Sequence, residues 1–220
     1  MKQLHYEEWV NNRYQKIINI LGRNWFKGKM VLELACAHGD IGKALLKCGA
    51  DVYFSDIDLL HLQQIERDLS SQTHYAKVFQ MDQNKPYSFD FKFDLILHFG
   101  VLYHLENWKQ DLKCALEHTN LMFLETLVNP VNEISDELLE SDCFEYSTVS
   151  GKSSWFTQKA VEQELDRLGC KYLCIKSQDL DTQWTPKNQG GYMRHLYSWD
   201  ENIKQIDDGT HHRRFWIIMK

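Results

Sequence analysis

The sequence predicts one α/β domain: a doubly wound, mostly parallel sheet with helices on both faces and an antiparallel last strand. Between Met30 and about Glu125, short apolar runs alternate with segments of helical periodicity, the pattern of repeated βαβ units. The runs MVLELA, DLILHF and LMFLE are almost continuously apolar, as strands covered on both faces must be. A chain of 220 residues buries one full core but is short for two, so residues 1–220 read as a single domain.

The elements follow in order. Trp9, Val10, Ile17, Ile18 and Leu21 keep a helical rhythm that ends near Gly22, so residues 1–28 are expected to lie over the domain as a helical cover. The series then predicts a strand at 30–35, a helix at 41–48, a strand at 51–55, a helix at 59–69 and a strand at 75–79. It continues with a strand at 94–99, a helix from about Trp108 to His118 and a strand at 121–125. Thr157 is placed to cap a helix whose Val161, Leu165 and Leu168 share a face and which Gly169 ends. Strand 172–176 follows, and RRFWIIMK, 213–220, closes the sheet. Segments 127–156 and 177–212 are too long for simple turns. Ligands of such sheets bind beyond the carboxyl ends of the strands, so both segments are expected to form a lid over the substrate, the alternative being that they only cover apolar sheet edges.

Composition excludes several classes. A net charge of -6 argues against broad nucleic-acid binding, which needs a basic surface. Arg213 and Arg214 beside His211 and His212, and Lys152, Lys159, Arg167 and Lys171, leave a local basic patch open, and a solvated surface explains them at least as well. The first residues lack an apolar core of signal-peptide length, and no run approaches the roughly 20 apolar residues of a membrane span, so a cytoplasmic location and no membrane partner are expected. Cysteines 36, 48, 114, 143, 170 and 174 form no CxxC pair and sit among apolar neighbours, which predicts reduced thiols and no metal site. Nothing in the sequence speaks to the oligomeric state.

The chemistry concentrates in MVLELACAHG, residues 30–39. An apolar strand passes through Glu33 into a turn of small residues and then a helix, so the backbone can approach a ligand closely. Asp56 ends the next strand, where an acid can accept both hydroxyls of a ribose. A dinucleotide site wants G-x-G-x-x-G, whereas the small positions here are Ala35, Ala37 and Gly39, and Asp40 would oppose a pyrophosphate. Glu33 instead suits a cofactor that carries a sulfonium and an ammonium. Because alanine at positive φ is strained, ordinary negative φ is expected at Ala35 and Ala37.

These residues resemble class I methyltransferases, whose motif E/D-x-G-x-G-x-G is matched by Glu33, Ala35, Ala37 and Gly39, with alanine at two glycine positions. The resemblance implies a Rossmann-like fold that binds S-adenosyl-L-methionine and releases S-adenosyl-L-homocysteine. It assigns Asp56 to the ribose, Ile57 to the adenine face and Asp82 to the adenine amino group. GVLYH at 100–104, LETLV at 124–128, the SSWFT stretch and the closing RR pair are nearest in pattern to the tRNA wobble-uridine carboxymethyltransferase branch. That branch implies that Phe99 lines the cofactor and that Tyr103 and Arg214 meet its carboxylate groups. It also carries a long N-terminal region, whereas only about 28 residues precede the first strand here, and the proline of its closing motif is His212.

With the acidic balance, these departures favour methyl transfer to a small molecule over transfer to tRNA. In-line displacement at a sulfonium needs an aimed nucleophile and, for a hydroxyl acceptor, a base. His104 is the first candidate base near neutral pH, with Tyr103 and Arg214 beside it, and Glu125, His195 and His211 are weaker candidates. Trp155, Trp184, Tyr192, Tyr197 and Trp199 either form an aromatic acceptor site or pack the lid. Carboxymethyl transfer and cofactor binding without turnover remain alternatives.

Overall fold

The computed structural model describes residues 4–70, 75–131, 133–140, 152–183, 194–200, 202 and 210–220. Helix α1, Leu4–Leu21, leads through a short 3-10 turn to strand β1, Met30–Leu34. Then come α2, Asp40–Leu46; β2, Asp51–Asp56; α3, Leu59–Leu69; and β3, Ala76–Gln80. The second half holds β4, Leu95–Phe99; α4, Trp108–Glu117; and β5, Leu121–Leu127. Strands β6, Asp136–Glu140, and β7, Lys152–Phe156, precede α5, Gln158–Arg167, and β8, Lys171–Ile175. A short β9, Arg194–Leu196, and a long β10, Thr210–Met219, end the chain.

The main sheet runs β3-β2-β1-β4-β5-β10-β8, with β9 on β10. Strand β10 is antiparallel to both β5 and β8, whereas β1 to β5 pair in parallel. The expected doubly wound, mostly parallel sheet with an antiparallel last strand is therefore present. The order reverses between β1 and β4, and at such a switch point a crevice opens above the carboxyl ends of the strands.

Alternation along each strand sorts the core into two layers. Leu32, Ile96, Met122, Leu124 and Trp216 face α4 and α5, whose Leu112, Leu116, Val161 and Leu165 complete that layer. Val31, Leu95, Leu97, Phe123 and Phe215 face the other way, toward α1, α2 and α3, with Ile17, Leu45 and Ile65. Thr157 caps α5 as its sequence predicts, its side chain accepting from the Ala160 N–H.

The element boundaries agree with periodicity to within about two residues, apart from the longer β5 and β10 and the three strands in segments 127–156 and 177–212. Strands β6 and β7 form a two-stranded hairpin inside 127–156, and β9 lies inside 177–212. Each is short and carries polar residues, so its apolar alternation is weak. Trp184, Tyr192 and Cys143 lie outside the described residues, and Met1 to Gln3 likewise. Among the described residues, no helix is long and apolar enough to cross a membrane.

Candidate functional site

Between β1 and α2 the chain makes a tight turn at residues 35–39. Ala35 and Ala37 both have φ 46, and Gly39, which caps α2, has φ 65. The expected negative φ values at the two alanines are thus overturned. Left-handed alanine costs about 1–2 kcal/mol against glycine, and neighbouring bonds hold the strain in place. The Cys36 N–H donates to Ser55 O at 2.9 Å, the Gly39 N–H to Cys36 O at 2.7 Å and the Ala37 N–H to Asp56 Oδ2 at 2.8 Å. Strain of this kind persists where the surroundings over-determine the backbone, as at ligand loops.

Gly42 sets how closely α2 approaches the sheet. A Cβ there would lie 2.4 Å from the Phe54 ring and 2.5 Å from Glu33 Oε2, so no other residue fits without movement. Its N–H donates to Glu33 Oε2 at 2.8 Å and fixes that carboxyl.

Above this turn two adjoining cavities of about 440 and 410 Å³ share Ala35, Ala37, His61, Gly100 and His104. The first is also lined by Glu33, Asp40, Phe99 and Tyr103, and by Tyr6, Trp9 and Arg13 of α1. The second is lined by Asp56, Ile57, Met81, Asp82, Gln83 and Asn84. The chain folds so that Glu33, Ala35, Ala37, Asp56, Ile57, Asp82, Phe99, Tyr103 and His104 meet along one cleft. Gly39 lines neither cavity and shapes the turn instead.

Arg214 is not brought there. Its Nε donates to Gln158 Oε1 at 2.6 Å, its Nη1 to Tyr197 O at 2.8 Å, and its guanidinium lies 3.5 Å over Trp199. Successive side chains of a strand point to opposite faces, so its neighbour Arg213 takes the cleft side, with Nη2 3.3 Å from Tyr103 Oη.

Arg213 belongs to a buried network centred on Glu125. Glu125 accepts from Arg213 Nη1 at 2.8 Å, from Tyr197 Oη at 3.0 Å and from Arg13 Nη2. Burial alone would raise the Glu125 pKa, but the two guanidiniums and the hydrogen bonds outweigh it and hold the carboxyl below its usual range. Trp9 lies under the Arg13 guanidinium at 3.3 Å, stacks on His195 at 4.3 Å and donates its indole N–H to Tyr197 Oη at 2.9 Å. Arg213 Nε in turn bonds His195 Nδ1 at 3.0 Å. Two guanidiniums thus face one carboxylate, and among the described residues Arg13 bonds only Glu125, with its Nε buried and unpartnered. Trp9, Arg13, Gly42 and Arg213 are site residues the sequence did not disclose. A tryptophan and an arginine four apart on α1 were the available signal.

Two ionisable groups depart from expectation. Burial pushes Glu33 up to about 8, only partly opposed by the Gly42 N–H. Burial, reinforced by Arg213, pushes His104 down to about 4, so it is a poor base at neutral pH, contrary to its proposed role. Glu125 and His195 are held by the network, and Tyr197 and Trp199, within segment 177–212, are wholly or nearly buried.

A family model described as a methyltransferase domain matches residues 6–175, and the chain belongs to that family. A solved S-adenosylmethionine-dependent methyltransferase from Mesorhizobium loti superposes with TM-score 0.67 at 11% identity, covering 95% of this chain and 98% of that one. The N-terminal domain of EvdMO1 with S-adenosylhomocysteine bound gives TM-score 0.63 at 13% identity, over 96% and 80% of the two chains. Magnesium protoporphyrin IX methyltransferase from Synechocystis, also with S-adenosylhomocysteine bound, gives 0.61 at 11%, over 100% and 89%. At these identities the likeness shows the fold. No curated protein matches the chain closely in sequence.

Proposed function

We propose that the chain transfers a methyl group from S-adenosylmethionine to a small-molecule acceptor and releases S-adenosylhomocysteine. The observation that carries this is the polarity of the cleft, whose ends match the two ends of that cofactor. Asp56, held by the Ala37 and Asp58 N–H groups at 2.8 Å each, suits the ribose hydroxyls, with Ile57 and Asp82 for the adenine. Glu33 and Asp40 suit an ammonium, and the spare donors of Arg13 suit the cofactor's carboxylate. A pyrophosphate would meet these acids instead.

When bound, the cofactor supplies an electrophilic methyl group on a sulfonium. The residues of this chain aim the acceptor and exclude water: Trp9 and Arg13 of α1 close one side, Tyr103 and His104 the other. Tyr103, whose oxygen faces Arg213, is placed to orient a polar acceptor atom. With His104 shifted down and Glu125 paired, catalysis rests on proximity and orientation rather than on a strong base at either residue. The acidic balance of the chain agrees with a small acceptor.

Carboxymethyl transfer would need a further cation for the extra carboxylate. Arg214, the residue the resemblance offers, is bonded to Gln158 and main-chain carbonyls, which favours plain methyl transfer. Calorimetric titration with S-adenosylhomocysteine tests the proposal: one site per chain is expected, and no binding at millimolar ligand overturns it. Incubation with methyl-labelled S-adenosylmethionine and a fraction of small metabolites is expected to label a low-mass product.

A further inference from the structure

The adenosine side of the cleft is walled by residues 81–84, which lie in a connection without helix or strand between β3 and β4. Such a segment has no ladder of its own: the Met81 N–H donates to Asp56 O at 2.9 Å, and beyond that bond side chains tie the segment to the rest of the fold. Asn84 supplies an outer tie: its Oδ1 accepts from the Glu106 and Asn107 N–H groups at 2.8 and 3.2 Å. The inner tie is Asp111 of α4, whose residue exposure is 1%. Its Oδ1 accepts from Gln83 Nε2 at 3.2 Å and from Tyr87 Oη at 3.0 Å, and its Oδ2 lies 2.5 Å from His98 Nε2 on β4.

This cluster carries a desolvation cost that apolar side chains would not. His98 and Asp111 side chains are wholly buried between sheet and helix, and His98 Nδ1 has no partner among the described residues. An apolar pair would pack there without that penalty. What the polar cluster adds is a fixed point. Strand β4, paired on both sides by β1 and β5, holds His98; His98 holds Asp111; and Asp111 holds both ends of the 83–87 connection. Burial and Asp111 keep the Tyr87 phenol well above its ordinary pKa, so it remains a donor to Asp111.

We propose that Asp111 is a positioning residue for adenine recognition, holding Gln83 and with it Asp82 against the cofactor's base, through its bonds to Gln83, Tyr87 and His98. The inference rests on the adenosylated cofactor proposed above, and its own content is the selectivity of the base site. The probes are S-adenosyl-L-homocysteine and S-inosyl-L-homocysteine, which has an oxygen in place of the adenine amino group. Wild-type protein is expected to prefer the first by about tenfold, the worth of one hydrogen bond lost with a polar group left unpaired. Asp111→Ala is expected to bring the two affinities together, and Tyr87→Phe, a milder change that keeps the ring, to narrow the gap partway. General loss of structure would weaken both ligands alike, and equal weakening, or an unchanged ratio, overturns the proposal.

Amide hydrogen exchange without any cofactor judges the same point independently. Exchange over 81–87 is expected to accelerate in Asp111→Ala and, less, in Tyr87→Phe, while β1 and β4 stay protected. Unchanged exchange over 81–87 overturns the proposal. Failure of the wild-type protein to bind S-adenosylhomocysteine strikes the functional reading instead and leaves the exchange result to decide the role of Asp111.

Discussion

Each end of the cleft depends on a buried carboxylate, Asp56 in the wall of one and Glu125 behind the lining Arg13 of the other, but they are held by different means. Asp56 sits at the last residue of β2 and takes main-chain N–H groups from Ala37 and Asp58, near neighbours in the βα grammar of the fold. Glu125 lies inside β5 and takes side chains from the two termini: Arg13 from α1, and Tyr197 and Arg213 from the last segment. Trp9 and Tyr197, which bond to each other there, are 188 residues apart. One end of the cleft is therefore set by local backbone geometry, and the other by closure of the chain ends over the sheet.

The largest expected effect breaks the second arrangement. Glu125→Gln leaves two buried guanidiniums without their carboxylate, and denaturant unfolding should show a loss of about 3–5 kcal/mol. Asp56→Ala should act on binding instead. Losing its hydrogen bonds to the ribose should weaken S-adenosylhomocysteine by about a hundredfold in a calorimetric titration. Similar stability losses in both variants, with similar losses of binding, would erase the contrast.

A third expectation concerns pH. Glu33 in the free protein holds its proton up to about pH 8. A bound ammonium favours the carboxylate, so binding releases a proton, and affinity should rise as pH climbs from 7 toward 8, then level off. Titrations in buffers of different ionisation enthalpy count that proton, and Glu33→Gln should abolish the release. Stability runs the other way: the unfolded carboxyl ionises near its ordinary value while the folded one does not. The stability present at acid pH is therefore lost as pH rises toward 8. The smallest effect is Ala35→Gly, which relieves a positive φ and should stabilise the protein by about 1 kcal/mol in the same unfolding assay.

The same contrast explains what the sequence disclosed. The succession of strands and helices, the small-residue turn at 35–39 and the acids at 33 and 56 follow from apolar periodicity and strand-end position, which are local, and Asp82 follows from the family resemblance. The conformation of Ala35 and Ala37 did not, because local preference disfavours positive φ and tertiary bonds from Ser55 and Asp56 override it. Arg213 and Arg214 differ by one position, and which of them faces the cleft depends on the register of β10 against β5, fixed by packing across the sheet. Trp9 and Arg13, four apart on α1, share one face of the covering helix, and what that face meets depends on its docking over Gly100; a Cβ at Gly100 would lie 3.2 Å from Arg13 Nη2.

The most direct test of a cleft with two separately built ends compares S-adenosylhomocysteine with 5′-methylthioadenosine, which keeps the nucleoside and lacks the amino-acid tail. Titrated into wild-type protein and Arg13→Gln, the pair should differ by about tenfold or more in wild type, in keeping with one charge-assisted bond. In the variant that preference should largely vanish while methylthioadenosine affinity is unchanged. Equal weakening of both ligands, or none, would contradict the division of the cleft.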